Sequence, residues 1–400
     1  MEREVVIVDC GRSAFAKLGG SLRQLGSSDI GAFTVKGLLE RTGITQKGKV
    51  DTVIAGCALG DINAYSPARY VTLKSGLPVE TTSVFVEMQC GSAVTGLNHA
   101  AMRILAGLSD VIIAGGMESY STLPARFSTS VEPYKALPPV AQPLSLSPNK
   151  ERDTDMISCN DFMAKTWKVS REECDEFAVE SQKRLARAFT AGIVGSEIVP
   201  YTIPATKKTP EIIVDKDDHP RPETTYEGIS KLRSVFEGGV TTAANASGRN
   251  DGACFLLVMS AEKAKEYGFT PYAKWIGCAH QGCPENLMGI GAAYAGMEAL
   301  KRLKMKIADM DVFECNEAFA AQNLCVIKEM EEKMGEKIDR NKWNPNGGAI
   351  AIGHPNGASG ARVTWFAAKH LEKTGGKYGL VSVCCGGGQG TAAIIENLRR

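Results

Sequence analysis

Two cysteines, one histidine and one asparagine stand in four short segments, far apart in the chain, where small neighbours leave room for a ligand against the backbone. The segments are Gln89-Cys90-Gly91-Ser92, Asn316-Glu317-Ala318-Phe319-Ala320, Gly353-His354-Pro355-Asn356-Gly357-Ala358-Ser359-Gly360 and Cys384-Cys385-Gly386-Gly387-Gly388. Packing does not account for the glycines, because each one in an element interior costs roughly 0.5–1 kcal/mol relative to alanine and returns no buried surface. A thiol attacks carbon only as its thiolate, so it needs a base held in one orientation. Thiol, imidazole and carboxamide are groups suited to nucleophilic and acid/base chemistry.

Cys90 precedes a helical pattern through Leu97, Ala101 and Leu105, and a thiol at a helix start is expected to be acidified by the dipole and the exposed amides. His354, between Gly353 and Pro355, is the one histidine of five in a loop of small residues; His99 reads as a packing or surface residue, and His219, His280 and His370 have no supporting pattern. Asn316 follows the strand-like Val312 to Cys315 and precedes a helix, where an N-cap role is expected. Cys384 ends a strand-like run, and the amides after it, including that of Gly386, can hold an oxyanion. Adjacent Cys384 and Cys385 would chelate one metal poorly, and Cys278-Ala279-His280-Gln281-Gly282-Cys283 offers three crowded ligands, so no metal is expected.

The elements that must position these groups alternate. Strand-like Val5 to Val8, Val53 to Cys57 and Val111 to Ala114 are interleaved with helix-like Ile30 to Leu39 and Ala93 to Leu105. Ala273 to Ile276, Ala292 to Leu303, Val312 to Cys315, Ala358 to Leu371 and Leu380 to Cys384 repeat the rhythm. In each half a small-residue loop opens a helix that leads through glycine into a strand and a second glycine run, which reads as a duplicated α/β unit. Between about Ser119 and Thr241 the rhythm breaks: residues 123–148 hold six prolines, and Ser170-Arg171-Glu172-Glu173 is a capping-box pattern opening a helix. The expected division is a first half of residues 1–120 plus 242–270, an inserted loop domain of 121–241 and a second half of 271–400.

Bulk properties narrow the function. Among 400 residues, 44% are hydrophobic, and 46 Lys and Arg nearly cancel 45 Asp and Glu, so no overall field favours nucleic acid or an anionic membrane. No apolar run reaches membrane-spanning length. Twelve cysteines without repeated spacing read as free thiols in a reducing compartment, and a cytoplasmic location is expected.

Taken together, the four segments resemble the thiolase family, whose members make or break a carbon–carbon bond between acyl-CoA units. The resemblance spans nearly the full length. It implies duplicated βαβαβ halves in an α-β-α-β-α layering, with an insertion that covers the active site and holds much of the CoA. It assigns Cys90 as nucleophile, His354 and Asn316 as the groups that stabilise an oxyanion through a held water, Cys384 as the acid/base, and Gly386 as an oxyanion-hole amide. Ser247 is implied as a pantetheine contact and Arg221 as a contact near the nucleotide. Met156, Met288 and Phe319 are implied to line the acyl pocket. Coenzyme A is implied as co-substrate, with no tightly bound cofactor, and a homodimer or homotetramer as the assembly.

The chain departs from the family where substrate is chosen. Met288-Gly289-Ile290-Gly291-Ala292 replaces the common Met-Gly-x-Gly-Pro, and Asp155-Met156-Ile157 stands where short-chain members have His-Met-Gly. Two alternatives stay open: a decarboxylating ketoacyl synthase, which uses one cysteine with two histidines, and a catalytically silent acyl-CoA binding protein of the same fold.

Overall fold

The computed structural model describes residues 3–128, 138, 140–141, 145–205, 207 and 210–400. Nine strands form one path of a large sheet: β1 (Val5–Arg12), β2 (Thr52–Gly56), β3 (Thr82–Val86), β4 (Val111–Glu118), β5 (Asn250–Ser260), β6 (Ala273–Gly282), β7 (Val312–Cys315), β8 (Tyr378–Cys385) and β9 (Gln389–Asn397). Their order is β7-β8-β9-β6-β1-β5-β4-β2-β3, and short Ala16–Lys17 pairs with the start of β5.

The duplication is visible in this order. β2 runs parallel to β4, which is antiparallel to β5, which is antiparallel to β1. β7, β8, β9 and β6 repeat those four senses. The halves join edge to edge, with Val5 opposite Trp275 and Ile7 opposite Ala273. The described residues among 119–249, between β4 and β5, add no strand to this sheet. Their helix Arg171–Thr190 begins with the expected capping box: Glu173 N–H donates to Ser170 Oγ at 3.2 Å, and Ser170 N–H donates to Glu173 Oε2 at 2.7 Å.

Near-continuous apolar strands follow from burial on both faces. Alternate residues of each strand belong to different layers, as a period of two requires. Val5, Ile7, Ile112, Ala114, Leu256 and Val258 of the first half face inward, as do Val381, Val383, Ala393 and Ile395 of the second. Between them lie helices α1 (Ser92–Leu105) and α2 (Asn356–Thr374), contributing Val94, Ala101, Ile104, Ala361, Trp365 and Phe366. Each large side chain so buried contributes about 1.5–3 kcal/mol. The alternating set Val6, Val8, Val111, Ile113, Phe255 and Leu257 packs outward against Ser27–Thr42, while Leu380, Ala392 and Ile394 pack against Gly291–Arg302 and Ala320–Met334. Helix, sheet, helix pair, sheet and helix therefore stack as the expected five layers.

The central helices meet near their N-termini, which brings the cysteine and histidine loops together. A β-carbon on Gly360 would lie 2.7 Å from Val94 N and 2.8 Å from Val94 Cγ2, so the two helices approach at backbone distance. Closer still, a β-carbon on Gly116 would sit 2.0 Å from the carbonyl oxygen of Gly357, and one on Gly357 would sit 2.4 Å from that of Met117. Strand end and helix start are in backbone contact. Gly357→Ala is therefore expected to force the halves apart, at a cost of about 1–3 kcal/mol; a lowered melting temperature with lost activity is the expected result, and an unchanged melting temperature with full activity would show the contact to be slack.

Candidate active site

The candidate residues gather where the parallel strands end, the position at which open α/β sheets bind ligands. Cys90 follows β3, Asn316 follows β7, and Cys384 is the last residue but one of β8. His354 precedes α2.

The Cys90 loop is a tight turn. Gln89 holds a positive φ of 48°, steadied by its N–H donating to Glu87 Oε1 at 2.7 Å. Ser92 Oγ donates to Gln89 O at 2.7 Å and accepts from Met88 N at 2.9 Å, closing the turn ahead of α1. Gly91 has no alternative, because the Cys385 sulfur lies 2.4 Å from where its β-carbon would be.

Cys90 is buried, and burial pushes its thiol up to about 12, with the Glu118 carboxylate adding to the rise and Glu87 contributing less. The acidified thiol expected from the helix start is thus overturned: desolvation outweighs the dipole and the amides. Cys384 is also raised well above the usual range, first by burial and then by the Cys90 thiolate, so the two sulfurs stand within electrostatic reach of one another. Cys385, on the alternate face of β8, feels Cys90 as well.

Asn316 extends the parallel ladder, its N–H donating to Ser382 O at 3.0 Å, two residues before Cys384. It is not the expected N-cap: the helix begins at Ala320 with Phe319 as its cap. Its carboxamide serves the site instead. Arg362 Nη2 donates to Asn316 Oδ1 at 3.2 Å, which turns the Asn316 Nδ2 group toward His354 Nε2, 3.4 Å away. On the other side His354 Nδ1 lies 2.6 Å from Ser359 Oγ, whose hydroxyl donates to Pro355 O at 3.1 Å. Donors and acceptors agree along this chain only if Nδ1 carries the ring proton and Nε2 the lone pair. Burial, with the Arg362 cation adding, holds the imidazole down to about 3, so it rests neutral. Its backbone is fixed too, His354 N–H donating to Asn250 Oδ1 at 2.9 Å.

Met288, Phe319 and Cys384 share one apolar cluster, with Met156 on its margin. A β-carbon on Gly386 would meet Met156 Cε at 2.6 Å and Gln89 Cγ at 3.3 Å, so the Gly386 turn faces the Cys90 loop. Ser247 lies against the Asn316 loop: its N–H donates to Ala318 O at 3.0 Å, and Ala246 bridges to Phe319. Arg221 is exposed, and His219 of the same loop touches the position of a Gly248 side chain, at 2.3 Å. Among the described residues no group of three or more His, Cys, Asp or Glu side chains could hold a metal ion, and no helix is long and apolar enough to cross a membrane.

Arg362, Ser359, Glu317 and Glu118 are site residues that the sequence reading did not single out. Arg362 and Glu314, both buried, face each other at 3.7 Å. Glu317 locks the Asn316 loop by accepting from Ser181 Oγ at 2.6 Å and Asn344 Nδ2 at 3.0 Å. Ser359→Ala removes the partner of Nδ1–H and leaves it buried. A loss of about 1–3 kcal/mol corresponds to roughly 10–100-fold in kcat/KM; steady-state kinetics on the folded variant with rates near wild type would refute the tautomer chain.

Comparison with known proteins agrees with this geometry. The family described as "Thiolase, N-terminal domain" matches residues 5–262, and "Thiolase, C-terminal domain" matches residues 269–397. An acetyl-CoA acetyltransferase of Thiocystis violacea is 38% identical, covering 100% of each chain. A beta-ketoadipyl-CoA thiolase of Acinetobacter baylyi is 39% identical, covering 99% of this chain and 100% of the relative. Among solved structures, human mitochondrial 3-ketoacyl-CoA thiolase in complex with CoA superposes with a TM-score of 0.88 at 35% identity, covering 99% of this chain and 98% of the other. The Bacillus anthracis acetyl-CoA acetyltransferase reaches 0.90 at 34% identity, with 99% of each covered. The chain belongs to the thiolase family and is an acyltransferase.

Proposed function

We propose that this thiolase catalyses the reversible, CoA-dependent cleavage of a 3-ketoacyl-CoA to acetyl-CoA and a shortened acyl-CoA through an acyl-enzyme on Cys90. The observations that carry the reading are two buried thiols from opposite halves within electrostatic reach of one another, and a neutral imidazole held by Ser359 and Asn316 so that its lone pair is on Nε2.

Cleavage begins as Cys90 sulfur attacks the ketone carbon and its proton passes to His354 Nε2. Waiting thiol and neutral base suit each other, because a dry site disfavours a standing thiolate–imidazolium pair. The amides of Cys90 and Gly386 receive the tetrahedral oxyanion. When the adduct collapses, the bond between the former ketone carbon and the α-carbon breaks, and the acetyl-CoA enolate takes a proton from the Cys384 thiol. By then Nε2 bears a proton and donates to the enolate oxygen. The Asn316 contact at 3.4 Å is long enough to yield to that acceptor or to a bridging water.

In the second half-reaction the Cys384 thiolate takes the proton of an incoming CoA thiol, whose sulfur attacks the acyl-enzyme carbonyl. Cys90 leaves and recovers its proton from His354. Sulfur suits both steps, since a cysteine thioester is close in energy to the CoA thioesters on either side. Ser247, beside the Asn316 loop, fits the pantetheine arm, and the exposed Arg221 guanidinium fits a phosphate or a stacked adenine. The relatives' names place both acetyl-CoA and β-ketoadipyl-CoA chemistry within this family, and the altered 288–292 and 155–157 segments are where the acyl group of this chain is selected.

The two sulfurs have separable roles. Cys90→Ser is expected to lose acyl transfer to CoA, whereas Cys384→Ala is expected to form the acetyl-enzyme from acetyl-CoA yet fail to exchange acetyl-CoA α-protons with deuterated water. Intact-protein mass spectrometry and proton NMR read these outcomes, and α-proton exchange surviving in Cys384→Ala would refute the assignment. Assayed on straight-chain and ω-carboxylated 3-ketoacyl-CoAs with free CoA, the wild-type protein is expected to turn over at least one; turnover confined to malonyl donors would indicate a synthase, and none at all a silent binder.

A further inference from the structure

Glu118 ends the otherwise apolar strand β4 and is completely buried. Its Oε2 accepts from Ala58 N at 3.0 Å and from Gly357 N at 3.0 Å; its Oε1 accepts from Leu59 N at 3.3 Å and from Cys57 Sγ at 3.2 Å. These partners come from both halves of the molecule. Gly357 lies three residues beyond His354, and residues 57–59 follow β2, beside the nucleophile turn. The same spot holds the backbone contacts of Gly116 and Gly357, where no side chain fits.

All four partners are donors toward the carboxylate and favour its ionised form, but burial outweighs them and pushes the Glu118 carboxyl up to about 7, so its charge is present on the alkaline side of that value. The titratable groups that sense this charge are Cys57, Cys90 and Tyr120, and each is raised by it. Cys90 additionally faces Glu87 and is within range of Tyr120, Cys384 and Cys385, none of which is a cation.

We propose that Glu118 is a positioning residue for acyl transfer: its carboxylate fastens the histidine loop of the second half to the strand ends of the first. The inference rests on the reading of Cys90 as nucleophile. It assigns two separable effects to one side chain. Charge restrains premature ionisation of Cys90, and the hydrogen bonds set the distance over which the proton moves.

Two variants separate the effects. Glu118→Gln removes the charge and presents an amide donor to a set of donors; Glu118→Asp keeps the charge but shortens the reach. The readouts are Cys90 alkylation by iodoacetamide as a function of pH, followed by peptide mass spectrometry so that the other cysteines do not interfere, and kcat and KM for thiolysis. In Glu118→Gln, alkylation of Cys90 is expected to reach half-maximal rate about one pH unit lower, about tenfold faster at pH 8. Its kcat is expected to fall, in spite of the more reactive thiol, by about tenfold or more with little change in KM. Glu118→Asp is expected to keep the wild-type alkylation profile and still lose kcat.

An unshifted alkylation profile in folded Glu118→Gln would overturn the electrostatic part, and full kcat in Glu118→Asp would overturn the positioning part. Should Glu118→Gln not fold, the Asp variant alone decides the positioning part, and the alkylation profile of Cys57→Ala, which keeps the charge and drops one donor, decides the other: it should rise or stay, and a fall would count against the proposal. Acetylation of wild-type Cys90 by acetyl-CoA is followed in parallel. Its absence would strike at the nucleophile assignment itself, and so is distinguishable from a failure at Glu118.

Discussion

Backbone meets backbone where the Gly116 strand end and the Gly357 helix start touch, and the geometry of the site depends on that contact. Neither half carries a complete set of groups. The first supplies the Cys90 turn, and the second supplies the imidazole, the carboxamide and the other thiol. Side chains at the meeting point would separate them by the width of a methyl group or more, beyond the tolerance of proton transfer between hydrogen-bonded atoms. The enclosed pair of helices and the continuous sheet around them make the contact rigid, because a packed interior transmits displacement rather than absorbing it.

Low polarity around the reacting atoms decides their resting charge. A helix start stabilises an anion by at most about 2 kcal/mol, whereas full burial can move a titratable group by several pKa units. Here burial prevails at Cys90, Cys384 and His354, all of which rest neutral. In the proposed reaction charge is made only when the proton of Cys90 passes to His354. Arg362 is the buried cation nearest the imidazole; through Asn316 it fixes the direction in which Nε2 is addressed, and its own charge disfavours a second proton on the ring.

The elements and the four chemical loops were legible because their signals are local: apolar alternation, a capping box, glycines flanking a reactive residue. Strand β7 was read to the residue, and the duplication was visible as a repeated rhythm. What escaped depends on partners distant in sequence. Asn316 read as a cap because the strand-to-helix junction looked like one, while its real partners, His354 and Arg362, lie 38 and 46 residues away. Glu118 could have been noticed as the one acid ending an apolar strand, and Arg362 as the one cation in the apolar stretch of α2, but neither pattern names a partner. Ser359 lay within a segment already singled out, five residues from the imidazole it orients. The misjudged acidity of Cys90 has the same origin: a helix start is visible in sequence, whereas the depth at which it is buried is not.

The central claim is that Cys90 and Cys384 face one thioester-sized space with His354 between their tasks. The most direct test is a crystal structure of the protein incubated with acetyl-CoA and CoA. The account predicts an acetyl group on Cys90 sulfur, its carbonyl oxygen at the amides of Cys90 and Gly386, and Cys384 sulfur in contact with the acyl carbons on the opposite side. An adduct on any other residue, or a Cys384 sulfur separated from the acetyl group by intervening side chains, would contradict it.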